Sequence, residues 1–349
     1  MVNAQWLPWS KKAGAARGRK WNAAAILRGI SLVILWGVSA LCIDKEAADA
    51  QKIYLIGSLT TSEQFVPSLD GFKARMAELG YREGQNVRYS FYNSKGDQQL
   101  LKAQTEKLVQ EKPDLIVTTS TTATLMAAKT TERLGIPVLF LSAGNPSLLV
   151  KSFKSSGTNL AGISSGSLDL VGKRFELLRE LSPKIKRIAM PIDPKSLLYQ
   201  SNIAEAEQSA AKMGMTVKEI PVESAEELAK VSGAIDRREV DAIFMPPDSL
   251  ISEGVDSLVR QANKERLPMV GSVLGLVQRG CLSSYAADYL ALGKQGAALG
   301  DKILKGVKPA DLPIEMPSKF YLALNLKTAK TIDLKIPKEL LLRADQIFE

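Results

Sequence analysis

Five consecutive hydroxyl residues, Thr118, Thr119, Ser120, Thr121 and Thr122, follow a short apolar run and precede a helix-like segment. Capping one helix takes a single such side chain, so the surplus points to a binding loop. Backbone N–H groups at a helix start also attract an anion, and a carboxylate fits there. Two further loops of the same half carry hydroxyls and an amide with almost no charge: 58–62, with Ser58 and Thr60, and 142–146, with Ser142 and Asn145. The loops of the second half, 193–196, 246–249 and 271–272, bring in the acids Asp193 and Asp248. A single Ser, Thr or Asp before a helix is most often a plain N-cap, so only the coincidence of several such loops argues for a site.

The chain contains no histidine. Ser-His-Asp and Cys-His hydrolysis, His-ligated zinc and His general bases are therefore excluded. Cys281 lies in an apolar segment and reads as a buried thiol with no base to activate it. Asp248 with Asp288 has the makings of an acid–base pair, but no nucleophile–base pair accompanies it. An acid-only hydrolase is also expected to show more cleft aromatics than the 6% aromatic content supplies. Gly166, Gly172 and Lys173 come near a P-loop, yet the glycine spacing is one residue too long and Arg174 stands where Ser or Thr must meet the metal. No G-x-G-x-x-G follows a strand.

The elements that must hold these loops alternate regularly. Apolar strand-like runs at 53–59, 87–91, 115–117 and 138–141 alternate with helix-like stretches. Ser68 is expected to cap the first helix, whose Leu69, Phe72, Met76 and Leu79 share one face before Gly80 ends it. Asp97 opens the next helix, and 121–133 reads as a third. The rhythm repeats at 187–192, 200–213, 216–220, 225–237, 242–245, 251–266 and 269–271, with 251–266 read as one continuous helix. No close residue-by-residue repeat links the halves. Such βαβα order implies parallel sheets covered on both faces, with the ligand beyond the carboxyl ends of the strands. About 300 residues exceed one ordinary core, so two lobes are expected.

The first fifty residues read as an export signal. Six Lys or Arg residues from Lys11 to Arg28 precede an uncharged run at 29–41, and Ala48, Asp49 and Ala50 supply an Ala-x-Ala cleavage site. The run of thirteen falls short of the roughly 20 residues that cross a bilayer. Leu41 stands where a lipidated Cys42 would need a small neighbour. Cleavage near Ala50 removes Cys42 and leaves Cys281 alone, so no internal disulfide is expected. It also lowers the formal charge from +9 to about +5, with the remaining Lys and Arg scattered and not grouped with aromatics, which speaks against nucleic acid.

Several separated segments resemble the ABC-transporter substrate-binding proteins of the group that includes tryptophan- and tyrosine-binding members. They are 114–123 with 135–138, then 279–289 running into 292–297, and finally 304–315 with 325–330. The resemblance runs from about Lys52 to the C-terminus. It implies an α/β fold of the type I periplasmic-binding-protein kind, two Rossmann-like lobes with parallel sheets joined by crossover strands. On that plan 1–50 is a signal peptide, 51–163 plus 285–308 form lobe one, and 164–284 plus 309–349 form lobe two.

The resemblance further implies a non-enzymatic, periplasmic carrier that takes a small-molecule ligand and presents it to an ABC permease and its ATPase. No cofactor, metal or nucleic acid is expected, the membrane is met only through the permease, and the chain is expected to be a monomer. A sensory module for a membrane receptor would share the fold. The expected ligand residues are Ser58, Thr60, Thr119, Ser120, Thr121, Ser142, Asn145, Asp193, Asp248, Tyr285 and Asp288. Ser58, Thr60, Ser120, Thr121 and Asn145 would hold a carboxylate or other acceptor end. Asp248 and Asp288 would hold an ammonium, and Tyr285 or Tyr199 would cover an apolar body. Asn145 stands at a place that is commonly acidic in the family, and Asp193 at one that is commonly Asn, so the ligand need not be an aromatic amino acid.

Overall fold

The computed structural model describes residues 52–349; the expected leader, its cleavage site near Ala50 and Cys42 lie outside them. Within Ile53–Glu349, a single contact unit, the chain opens with β1 (Tyr54–Thr60), α1 (Val66–Glu78), β2 (Val87–Asn93) and α2 (Gln98–Gln110). It continues with β3 (Leu115–Thr118), α3 (Thr121–Thr131), β4 (Val138–Ala143) and β5 (Leu160–Ser164). Every residue of β3 and β4 is buried, as apolar runs in a parallel sheet covered on both faces require. β2 is far more open, as befits an edge.

The second series is α4 (Val171–Leu181), β6 (Arg187–Ile192), α5 (Tyr199–Lys212), β7 (Thr216–Pro221), α6 (Ala225–Ser232) and β8 (Ala242–Phe244). It closes with α7 (Ser249–Glu253), α8 (Val255–Glu265), β9 (Met269–Gly271), α9 (Gly275–Gln278) and β10 (Ser283–Ala287). Last come α10 (Tyr289–Leu304), β11 (Ile314–Glu315), β12 (Phe320–Asn325), α11 (Leu326–Thr331), α12 (Lys338–Arg343) and β13 (Gln346–Phe348).

Two sheets result. The first, in the order β11-β5-β4-β3-β1-β2, is parallel throughout. The second runs β13-β12-β10-β9-β8-β6-β7 and is parallel except between β10 and β12. The chain changes lobe between β5 and α4, at Asp288 between β10 and α10, and between β11 and β12. Sheet membership shifts the lobe limits by a few residues from those expected. Tyr285 stays in the second sheet because β10 bonds to β9 and β12, and Ile314 stays in the first because β11 pairs with β5.

α10 returns to the first lobe and lies on α1 with almost no space between the backbones. A Cβ on Gly293 would stand 1.9 Å from the Ser68 carbonyl oxygen, and one on Gly71 would stand 2.0 Å from that of Leu290. Only glycine allows this approach. The contact fixes the start of α10, where Tyr289 stacks on Phe65 with ring centroids 5.6 Å apart.

Two local expectations are corrected. Ser68 is no cap: α1 begins at Val66 with Pro67 in its first turn, a position that proline favours, and Ser68 is buried inside the helix. The helix expected over 251–266 is broken at Gly254 into α7 and α8, and Leu228 of α6 packs there where a Cβ would be, 2.4 Å away. Among the described residues no helix is long and apolar enough to cross a membrane.

Candidate functional site

The carboxyl ends of both sheets face one gap, and the lobes meet along it. Thr61 Oγ1, after β1, lies 2.8 Å from Ser249 Oγ, after β8. Gln98 Nε2 donates to the Lys195 carbonyl at 2.9 Å, and the Glu63 N–H donates to Glu253 Oε1 at 2.7 Å. These contacts lie on the β1–β2 and β6–β8 side. The crossings, with Asp288 and 165–170, lie toward the other side, at β5 and β10.

On the first lobe the expected hydroxyls are largely bonded to one another. Thr119 Oγ1 donates to Thr60 Oγ1 at 2.7 Å, and Thr60 Oγ1 donates to the Ser62 carbonyl at 3.1 Å. Thr61 Oγ1 donates to Ser120 Oγ at 3.0 Å, and that Ser120 oxygen also caps α3 by accepting the Ala123 N–H at 3.1 Å. Ser142 Oγ donates to the Thr119 carbonyl at 2.6 Å, and the Asn145 N–H donates to Thr121 Oγ1 at 3.1 Å. The structure places Thr60, Thr119, Ser120, Thr121, Ser142 and Asn145 at neighbouring strand ends in three bonded groups: Thr60 with Thr119 and Ser142, Ser120 with Thr61, and Thr121 with Asn145. Ser58 is also buried, but inside β1, two residues short of the strand end.

On the second lobe, Asp248 is only 3% exposed. It caps α7, Oδ1 accepting the Ile251 N–H at 3.2 Å, while Oδ2 accepts the Asp193 N–H at 3.4 Å. Burial, with the neighbouring Asp193 charge, pushes its carboxyl up to about 6 against the pull of these backbone N–H groups. Burial raises Asp193 as well, although its Oδ1 accepts the Lys195 N–H at 2.8 Å. No cationic side chain among the described residues forms an ion pair with Asp248. Asp288 stands apart from this pair at the crossing, where it caps α10 by accepting the Ala291 N–H at 3.2 Å.

The expected aromatic cover lies elsewhere. The Tyr285 ring packs 6.1 Å from that of Phe320 and lines a hollow with Lys173, Leu177 and Arg343 of α4 and α12. Tyr199 donates its hydroxyl to Glu219 Oε2 at 2.7 Å. The aromatic pair beside the strand ends is Phe65 with Tyr289, which the sequence reading passed over. Cys281 is fully buried against Met245 Sδ at 3.7 Å, and burial pushes its thiol up to about 12.

Four buried hydroxyls at strand ends were also missed as a group. Ser62 after β1, Ser94 after β2 and Ser272 after β9 have Oγ atoms with no hydrogen-bond partner, and Ser165 after β5 lies against the Tyr289 phenol. Buried polar groups without protein partners call for an explanation, and ordered water or a bound solute supplies one. Arg174, fully buried on the apolar face of α4 with Val171, Phe175, Leu178 and Leu181, had a readable sign: a charge at the spacing of a core stripe.

The family model described as ABC transporter substrate binding protein matches residues 62–348. A tyrosine-binding protein of Clostridioides difficile is 27% identical over 299 residues, which is 84% of each chain. The solved ABC domain in complex with L-Trp from Streptococcus pneumonia superposes with a TM-score of 0.77 at 29% identity, over 85% of this chain and 100% of that one. A ligand-free, open substrate-binding protein from Clostridium difficile shares the fold with a TM-score of 0.61 at 23% identity, over 85% and 99% of the two chains. The fold is that of the type I periplasmic binding proteins, two lobes about a common gap.

Proposed function

We propose, from the premise that the chain belongs to the ABC transporter substrate-binding protein family, that it is an exported carrier of a small zwitterionic solute, an amino acid or a close relative. It holds the solute in the interlobe gap and delivers it to an ABC permease from the periplasmic side. Names of relatives support the class, one being called tyrosine-binding and another having been solved with L-Trp.

The observation that carries the reading is Asp248, a carboxylate buried at the lobe interface whose hydrogen bonds come from backbone N–H groups alone. A buried carboxylate with no cation is held at a cost that an incoming ammonium removes. Affinity that requires both lobes also biases the molecule toward the closed form, which is the state a permease can recognise. No bond of the solute needs to break, and the only thiol among the described residues is protonated in the core.

The test is calorimetric titration of the Asp248→Ala variant. Its affinity for the bound amino acid should fall by about 2 kcal/mol or more, because the ammonium is left unpaired. Affinity for the des-amino analogue should be unchanged. Wild-type affinity for the amino acid in this variant refutes the assignment.

A further inference from the structure

Arg174 carries the one fully buried guanidinium among the described residues, and all of its hydrogen bonds go to neutral groups. Nε donates to the Tyr285 carbonyl at 3.0 Å, and Nη1 donates to the Ser167 carbonyl at 2.7 Å. Nη2 donates to Ser167 Oγ at 3.2 Å and to the Ser272 carbonyl at 2.8 Å. A guanidinium has five N–H donors, so one on Nη1 is left without an acceptor. Burial lowers its pKa only to about 10, which keeps it charged at neutral pH.

The four acceptors orient the group but do not neutralise it. A charge held in this way is costly to bury unless an anion completes it. The surroundings are those of an anion site. Ser272, whose carbonyl takes one Arg174 bond, has its own hydroxyl buried and unpartnered. Ser165 is buried too, its hydroxyl set against the Tyr289 phenol as a hydrogen-bond partner, and that phenol is itself within electrostatic reach of Arg174. Ser165 and Ser272 follow β5 and β9, at the crossing side of the gap, away from the Thr61–Ser249 contact.

We infer that Arg174, Ser165 and Ser272 form an anion subsite at the hinge side of the gap that receives the carboxylate of the solute. The inference rests on the reading of the gap as a solute cleft. It moves the acceptor end away from Thr60, Thr119, Ser120 and Thr121, whose hydroxyls are engaged with one another and with Thr61 and Asn145. The two ends of the solute are thereby divided between Arg174 and Asp248, so each can be tested without the other.

The experiment measures affinity for an amino acid against its own amide. The twenty common L-amino acids are titrated first, and the tightest is compared with its amide in the wild type, in Arg174→Gln and in the double variant Ser165→Ala/Ser272→Ala. The double variant leaves the four Arg174 bonds in place. The wild type should prefer the acid by about 100-fold or more, and each variant should reduce that preference at least about tenfold. Should Arg174→Gln fail to melt cooperatively, the double variant decides. Equal binding of acid and amide by the wild type, or a preference unchanged in the variants, overturns the subsite while leaving the carrier reading intact. Failure of every amino acid to bind the wild type overturns both.

Discussion

Thr61 Oγ1 of the first lobe stands 2.8 Å from Ser249 Oγ of the second, and the same Thr61 hydroxyl donates to Ser120 Oγ at 3.0 Å. The Ser120–Thr61 pair of the first lobe therefore ends in a bond that only the joined lobes can make. Its atoms latch the gap and do not wait for a solute. Thr61→Val keeps the shape and removes the bond, which is worth about 1 kcal/mol. Ligand affinity should weaken roughly fivefold, and small-angle scattering of the ligand-free protein should show a larger radius than the wild type. Unchanged affinity and radius would remove this contact from closure.

On the proposed reading, Asp248 makes binding a proton-linked event. Its folded pKa of about 6 lies above the ordinary carboxyl value, so its contribution to stability is complete below about pH 4 and is lost as pH rises through 6. Asp248→Asn keeps an N-cap and should flatten that dependence, stabilising the ligand-free protein at pH 7 by on the order of 2 kcal/mol. Asp193 is shifted in the same direction, and the variant separates the two.

An arriving ammonium favours the ionised carboxylate and expels the proton. At pH 6 about half a proton should be released per ligand, falling toward none at pH 8. Calorimetry in two buffers of different ionisation enthalpy reads this directly. Heats at pH 6 that do not depend on the buffer would contradict an ammonium on Asp248.

Gly293 is predicted to be the least replaceable residue of α10. An alanine Cβ would stand 1.9 Å from the Ser68 carbonyl oxygen, and since that neighbour is backbone, the helices themselves must part. Gly293→Ala should cost about 3 kcal/mol and lower the melting temperature by several degrees. Gly275→Ala, where no atom lies within 4 Å of the added carbon, should change stability by no more than about 0.5 kcal/mol. Equal melting curves for both variants would contradict the packing of α10 on α1.

The strands were legible because their residues meet only one kind of environment. Leu115, Ile116 and Val117 are apolar in the sequence and fully buried in the sheet. Local competition was not so visible. Pro67 draws the start of α1 ahead of Ser68, and the expected helix is interrupted at Gly254, which leaves room for Leu228, twenty-six positions earlier in the chain.

The site was harder still to read. Thr119 and Thr60 bond across 59 positions, so a run that looks like surplus donors in sequence is satisfied in space. Tyr285 alternates correctly along β10 but faces α4 and α12, which period-2 patterning cannot tell from the gap. Asp248 and Ser120 were legible as strand-end residues because both cap helices there.

The central claim is that the two lobes bind a solute and leave it unchanged. Titration of the protein with the twenty common L-amino acids, followed by mass spectrometry of the recovered ligand, tests it most directly. The account predicts one-to-one binding of at least one of them at about micromolar or tighter dissociation constant, near −8 kcal/mol, with the ligand recovered intact. Binding of none of them, or recovery of a product in place of the ligand, would contradict it.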